Sequence, residues 1–373
     1  MGQKKKILYI ITKSSSLEGP QKAVIDLVTN FKDKFDVAVA SDEDEIFFNI
    51  LKQENIETFK IEGFGRDIKF LKDLKAFFSI YRIINKFKPD IIHLHSPKAA
   101  GLGAIAGKLI GVKKIIYTVH GWPFMENRPT WQKKLLEYLS FTTSMICDKI
   151  IVLSFKEKAQ IKFWHFIMPK VFVIKNGIKE FEMFPKEIAK KKISEIYGKY
   201  LQENIPWVVT IAELTKNKGL EYSIKALSNM DILYFIIGEG EERKKLEEII
   251  TKNESKNIFL LGNIPEAKKY LKAFDVFLFP SLKEGLPYVL LEAGLAEVTI
   301  ISTGVGGISN LIENGKEGIL IEPQNTVEIQ KQVSLLIEDS GKKTYFAKNL
   351  KKEILSEYSI EKQIEETKKL YLD

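Results

Sequence analysis

Cysteine is almost absent. The single Cys147 rules out an internal disulfide and fits a reducing compartment, where a small buried position is its ordinary use. Long apolar runs are missing as well: no window approaches the roughly 20 residues that a spanning helix needs. The head, Met1 to Lys6, is positive, but the apolar stretch after it is too short for a signal peptide and has no small-residue cleavage site. A first buried strand and a cytoplasmic protein are therefore expected. Lys6 also breaks the myristoylation pattern. The loop after that strand is not G-x-G-x-x-G, which argues against a nicotinamide enzyme. The sequence shows no internal repeat and no low-complexity segment.

What is present is an alternation of short apolar runs with helical stretches over 373 residues, the pattern of parallel sheets covered on both faces and enough chain for about two domains. The net charge of +8 is uneven: residues 1–180 carry 30 Lys and Arg against 19 Asp and Glu, and the remainder is at −3. A basic first half implies an anionic partner, or only a lysine-rich surface. From Gln160 to Lys179 the aromatics Phe163, Trp164, Phe166 and Phe172 interleave with Lys162, Lys170, Lys175 and Lys179, a mixture suited to a membrane interface.

The most informative stretch is Lys283-Glu284-Gly285-Leu286-Pro287-Tyr288-Val289-Leu290-Leu291-Glu292-Ala293, which follows the strand-like run Asp275–Pro280 and Ser281. Pro287 suits a first helical position, so a helix is predicted over about 287–297. Glu284 then lies just outside the helix start, and Glu292 on the order of 7 Å along the axis. Between them the helix start and its dipole offer an anion site. The plain alternative is a loop Glu and a solvated helix Glu. Downstream, Ile300–Gly307, Glu313-Asn314-Gly315 and Gly318–Pro323 complete the pattern. The run from Phe277 to Pro323 resembles the donor-binding segment of the family-4 retaining glycosyltransferases, which have the GT-B fold. Residues 90–124 are similar to the branch of that family that builds bacterial surface and capsular polysaccharide.

The resemblance implies a set of roles. A glycine turn after the first strand is matched by Gly19 and Gln21, with Pro20 in place of the more usual second glycine. An Arg and a Lys five residues apart usually hold the donor phosphates; Lys218 keeps its place, Glu213 stands where the Arg is expected, and Lys216 is the nearest cationic substitute. Donor binding is expected from Glu292, Gly285, Leu286, Pro287, Gly238, Gly262, Asn263 and Lys216, catalysis from Glu284, Lys218 and His120, and acceptor contacts from Gly19, Gln21, His95 and Ser96. Ligands of open α/β sheets bind at the carboxyl ends of strands, which favours His95 and Ser96 over His93. A zinc site from His93, His95 and His120 is formally conceivable, but no carboxylate or thiol accompanies them. Asp42-x-Asp44 reads as a solvated acidic loop. Phe70, Leu71, Leu74, Phe77, Phe78 and Tyr81, within a helix predicted over Asp67–Lys86, have the spacing of a core face. Trp131–Phe141 reads as a helix with exposed lysines and buried aromatics.

The expected architecture is two doubly wound, Rossmann-like α/β domains facing a cleft. Residues 1–182 would bind the acceptor, with a C-terminal helix (358–373) packing back on them; residues 183–357 would bind the nucleotide-sugar, with a linker near Glu180–Lys186. The expected activity is metal-independent, retaining transfer of a sugar from a UDP- or GDP-sugar to a glycan or lipid-linked acceptor, with no cofactor. The anionic inner face of the cell membrane is an expected partner, and its attraction should be screened by salt. Two rivals differ in class. An epimerase on this fold would use His95 and His120 as added acid and base; a basic nucleic-acid-binding protein would lack every recognised module.

Overall fold

The computed structural model describes residues 4–12, 19–42, 45–65, 69–126, 128–198 and 204–373. The Ser-rich loop (14–16), Asp44 and the predicted helix start at Asp67 lie outside the described residues. Two compact units emerge: residues 1–176 with 360–373, and residues 177–359.

The first unit alternates β1 (Lys6–Ile11), α1 (Gly19–Phe31), β2 (Asp36–Ser41), α2 (Glu45–Gln53), β3 (Glu57–Lys60), α3 (Phe70–Phe87), β4 (Ile91–His95), α4 (Pro97–Ile110), β5 (Lys114–Val119), α5 (Thr130–Ile146), β6 (Lys149–Val152), α6 (Phe155–Gln160) and β7 (Val171–Val173). All its strands are parallel, in the order β3-β2-β1-β4-β5-β6-β7. β4 is buried at every residue, as a strand covered on both faces must be. One cover is α4, whose small residues let it lie close: a Cβ on Gly103 would stand 2.4 Å from Leu94 Cδ2.

The second unit runs α7 (Lys186–Tyr197), β8 (Trp207–Ile211), α8 (Leu220–Leu227), β9 (Leu233–Ile237), α9 (Arg243–Lys252), β10 (Ile258–Gly262), β11 (Val276–Phe279), α10 (Tyr288–Leu295), β12 (Thr299–Thr303), α11 (Ile308–Leu311), β13 (Ile319–Ile321), α12 (Thr326–Glu338) and α13 (Ser340–Glu357). Its parallel sheet has the order β10-β9-β8-β11-β12-β13. The final helix, α14 (Ile360–Leu372), returns to the first unit, where Leu370 and Tyr371 join the core beside α1. In both sheets the strand order reverses once, between β1 and β4 and between β8 and β11. Loops at the carboxyl ends of those strands are where ligands of such sheets bind.

Three local expectations are corrected. On α3 the buried residues are Ala76, Ile80, Ile83, Ile84 and Phe87, whereas Phe70, Leu71, Leu74, Phe78 and Tyr81 are exposed. The helix has apolar residues on more than one face, and the sheet takes the face that includes the small Ala76. On α5 the buried residues are Ser140 and Ser144, while Trp131 and Tyr138 face solvent. The helix predicted over 287–297 spans Tyr288–Leu295, with Pro287 outside it as an extended cap at φ −73° and ψ 124°.

Candidate active site

At the second sheet's reversal point, β8 leads into a single 3-10 turn, Lys216–Lys218, and β11 into the loop that carries Glu284. The loops are tied backbone to backbone: Leu282 N donates to Asn217 O at 2.7 Å, and Gly307 N to Gly285 O at 2.6 Å. Two glycines permit this closeness. Gly219 adopts φ +61°, and a Cβ there would stand 2.4 Å from Pro280 O; Gly306, at φ +57°, would place one 1.9 Å from Glu284 O. No side chain fits either position. The result is a rigid seat for Lys218, whose Nζ donates to Glu284 Oε1 at 2.7 Å and lies over the Phe279 ring, 5.4 Å from its centroid. Both side chains are largely covered, at 21% and 10% exposure.

The other donor-side candidates lie in the same unit. Leu286 is buried, and Glu292 is buried on α10, four residues past the helix start. Lys216 and Asn263 are exposed and Glu213 is half-buried. Gly238, at φ +142°, sits against Ala212, where a Cβ would stand 2.0 Å from its carbonyl oxygen. Gly262 ends β10, and Gly238 N donates to its carbonyl at 2.9 Å. Glu239, between Gly238 and Gly240, is engaged by the Arg243 guanidinium.

At the first sheet's reversal point the chemistry is neutral. His93 is fixed on both sides: its Nδ1 meets the Tyr371 hydroxyl at 2.6 Å and its Nε2 the Thr118 hydroxyl at 2.7 Å. Tyr371 also meets the Tyr9 hydroxyl at 2.9 Å. Two residues along β4, His95 Nδ1 lies 3.0 Å from His120 Nε2, with the rings stacked, while the buried Nε2 of His95 has no protein partner. A cavity of about 10 Å³ is lined by His93, His95, Thr118 and His120, with Gln363 and Thr367 of α14 on its wall. Burial drives all three imidazoles down: His93 to about 3, His120 to about 4, and His95 well below its usual value, with the neighbouring rings adding to the effect on His93 and His95. All three are neutral near pH 7. Ser96 adopts φ +83°, a conformation that costs a non-glycine residue about 1–3 kcal/mol and gathers at functional positions. Its hydroxyl accepts from Thr12 Oγ1 at 3.0 Å, joining the ends of β1 and β4. Gln21 is buried in the first turn of α1, and Gly19 begins that helix.

Sequence reasoning missed Tyr371, Tyr9 and Thr118, which hold His93 in place; Tyr371 lies 278 residues from His93, and no local pattern joins them. Among the described residues no group of three or more His, Cys, Asp or Glu side chains is placed to hold a metal ion.

The chain thus folds as two doubly wound domains, the second with a Lys–Glu pair whose carboxylate stands in the loop that leads into α10. A family model described as Glycosyltransferase Family 4 matches residues 18–180, and one described as Glycosyl transferases group 1 matches residues 190–353. The chain is 30% identical over 331 residues to the UDP-Gal:alpha-D-GlcNAc-diphosphoundecaprenol alpha-1,3-galactosyltransferase of Escherichia coli, which covers 86% of this chain and 84% of that enzyme. It is 26% identical over 381 residues to the capsular polysaccharide biosynthesis glycosyltransferase CapM of Staphylococcus aureus, covering 98% of this chain and 96% of that protein. In fold it is similar to Anabaena Alr3699/HepE, solved with UDP and glucose: TM-score 0.84, 20% identity, 99% and 100% coverage. The chain belongs to the family-4 glycosyltransferases, with the GT-B fold. These likenesses lend nothing to the epimerase alternative.

Proposed function

We propose that this glycosyltransferase moves a sugar from a uridine diphosphate sugar to a lipid-linked glycan at the inner face of the membrane, with retention of configuration and no metal. Residues 177–359 hold the donor and residues 1–176 the acceptor. The observation that carries this reading is the Lys218–Glu284 pair set immediately ahead of α10. An ammonium has three N–H donors, so Lys218 can keep Glu284 while it binds a phosphate oxygen. Charge that develops on the departing diphosphate meets Lys218 and the positive end of α10, and pre-organised groups of this kind supply several kcal/mol. Glu284 is left to orient a hydroxyl of the transferred sugar, and Glu292 one of the ribose. Support for uridine and for a lipid-linked acceptor comes from the named substrate of the E. coli relative and the ligands of the Anabaena structure.

On the acceptor side, His120 is held near pKa 4, too weak a base to take a proton efficiently at pH 7. It orients the acceptor hydroxyl by hydrogen bonding. That hydroxyl attacks on the face from which the diphosphate leaves and loses its proton to the departing phosphate oxygen. Thermal-shift screening against a panel of nucleotide-sugars tests the reading, since a bound ligand raises stability by mass action. A uridine diphosphate sugar should respond alone. A response confined to guanosine donors would overturn the choice of base, and no response to any sugar nucleotide would overturn the donor site.

A further inference from the structure

One face of the first domain carries more apolar surface than its own core can use. α3, α4 and α5 lie side by side on the same side of the sheet, α3 against α4 and α4 against α5. Their outward side chains include Phe70 and Leu71, 81% and 79% exposed, Phe78 on α3, Leu109 on α4, and Trp131 and Tyr138 on α5. The opposite side of the same sheet, covered by α1, α2 and α14, exposes only Ile46 and Leu372 among large apolar residues of the described helices. Scattered exposed apolar residues are ordinary, but their concentration on three adjacent helices covering one side of a sheet marks an interaction surface.

Charge and residue type identify the occupant. The three helices carry eight Lys and Arg and two carboxylates, Asp73 and Glu137, and Asp73 is already neutralised by Lys98 at 2.7 Å. Protein interfaces are depleted in lysine. Aromatic residues mixed with long cationic side chains, whose stems lie along apolar surface while the heads reach out, are the composition of the membrane–water boundary. Topology adds a direction. A helix that connects parallel strands begins at their carboxyl edge, so Phe70, Leu71 and Trp131, in the first turns of α3 and α5, lie at the edge where β4 ends in His95 and Ser96 and β5 runs into His120.

We infer that the α3–α4–α5 face inserts its apolar side chains into the headgroup boundary of an anionic bilayer and so brings the carboxyl edge of the first sheet to the membrane surface. Attachment by charge alone would be released by salt. Attachment by insertion keeps a bound fraction when the Debye length has shrunk to about 3 Å at 1 M salt. The inference deepens the lipid-linked acceptor reading by naming the surface that meets the lipid, but the docking itself does not depend on which sugar moves.

The test is co-sedimentation of the full chain with phosphatidylglycerol–phosphatidylcholine vesicles and with phosphatidylcholine alone, at low and at about 1 M salt. Binding to the anionic vesicles should persist in part at high salt. The exposed-site double variant Phe70→Glu, Trp131→Glu should weaken it about tenfold or more, since each group removes apolar area that insertion would bury. Ile46→Glu, on the opposite face, should not. Circular dichroism and an unchanged Tm of the double variant confirm that it folds. Binding abolished by salt, binding indifferent to the double variant, or no vesicle binding with a dimer that the double variant dissociates would each overturn the inference. Transfer to a short-chain acceptor in detergent-free solution is measured in parallel: a double variant that binds no vesicles but keeps this transfer supports the inference, whereas vesicle binding by a chain that transfers no sugar to any acceptor faults the proposed function alone.

Discussion

At the reversal point of the second sheet a lysine and a carboxylate stand 2.7 Å apart, while at the same topological place in the first sheet three imidazoles are kept neutral by burial. Both sheets share the order of a doubly wound fold through six strands, so the contrast comes from the loops. In the second domain, close backbone packing around Gly219 and Gly306 seats a lysine–carboxylate pair in the loops ahead of α10, where the proposed donor diphosphate would meet a helix start. In the first, hydroxyls and imidazoles pair with one another while the buried His95 Nε2 keeps no protein partner, so hydrogen-bonding capacity without net charge remains there, which would suit a neutral hydroxyl. The same architecture is thus specialised twice by what stands at two strand ends.

The sharpest way to break this contrast is to remove the charge. Lys218→Ala should lower kcat on the order of a hundredfold, about 2.7 kcal/mol of transition-state stabilisation; steady-state kinetics showing unchanged turnover would sink the phosphate-clamp role. Next comes the division of labour between the carboxylates. Glu292→Ala should weaken both free nucleotide and sugar donor on the order of tenfold, the loss of one charged hydrogen bond, whereas Glu284→Ala should spare the free nucleotide. Equal losses of nucleotide in calorimetry would show the assignment to be wrong.

Acid should distinguish the domains. Because the folded-state values of His93 and His120, about 3 and about 4, lie below the ordinary value of 6.5, the unfolded chain binds more protons once pH falls under 6.5. Their contribution is intact above 6.5 and is lost as pH falls toward the folded-state values, at about 1.4 kcal/mol per pH unit for each imidazole that stays neutral. Hydrogen exchange, corrected for intrinsic rates, should show β4 losing protection between pH 6.5 and 5 while β12 holds. Smaller again is Tyr371→Phe, which removes one hydroxyl from the His93–Tyr9 network and should cost about 1 kcal/mol in urea unfolding, with kcat at saturating substrate unchanged. Lys216→Ala, exposed and outside the pair, should change turnover only a few-fold, as expected of a solvated charge. A larger loss than in Lys218→Ala would exchange the two roles.

How far the sequence could be read follows the range of the forces involved. β11, its loop and α10 were legible because an apolar run, a Pro and a helical pattern act over a few residues. The alternation of strands and helices likewise gave the fold class. The face of α3 was not legible: Phe70, Leu71 and Phe78 have a core-like spacing, but burial depends on which side the sheet presents, and Ala76, Ile80 and Ile84 fit there. Nor was the contact of Lys218 with Glu284, 66 residues apart, or the hold of Tyr371 on His93, since both exist only once the strand order is set. The candidate residues could be named from a resemblance; their pairing could not.

α14 has a consequence for how the protein is made. Tyr371 closes the histidine network of a domain whose remaining residues end at Asn176, so all of the second domain is synthesised between the body of the first and the helix that completes it. At 5–20 residues per second, translation takes roughly 10 to 40 s to get from one to the other. During that interval the wall formed by Gln363 and Thr367 does not yet exist, and the neutral imidazoles that it covers stand open to water and to protons. Completion of the first domain is therefore tied to translation of α14, and of these two domains the one begun first is the one completed second.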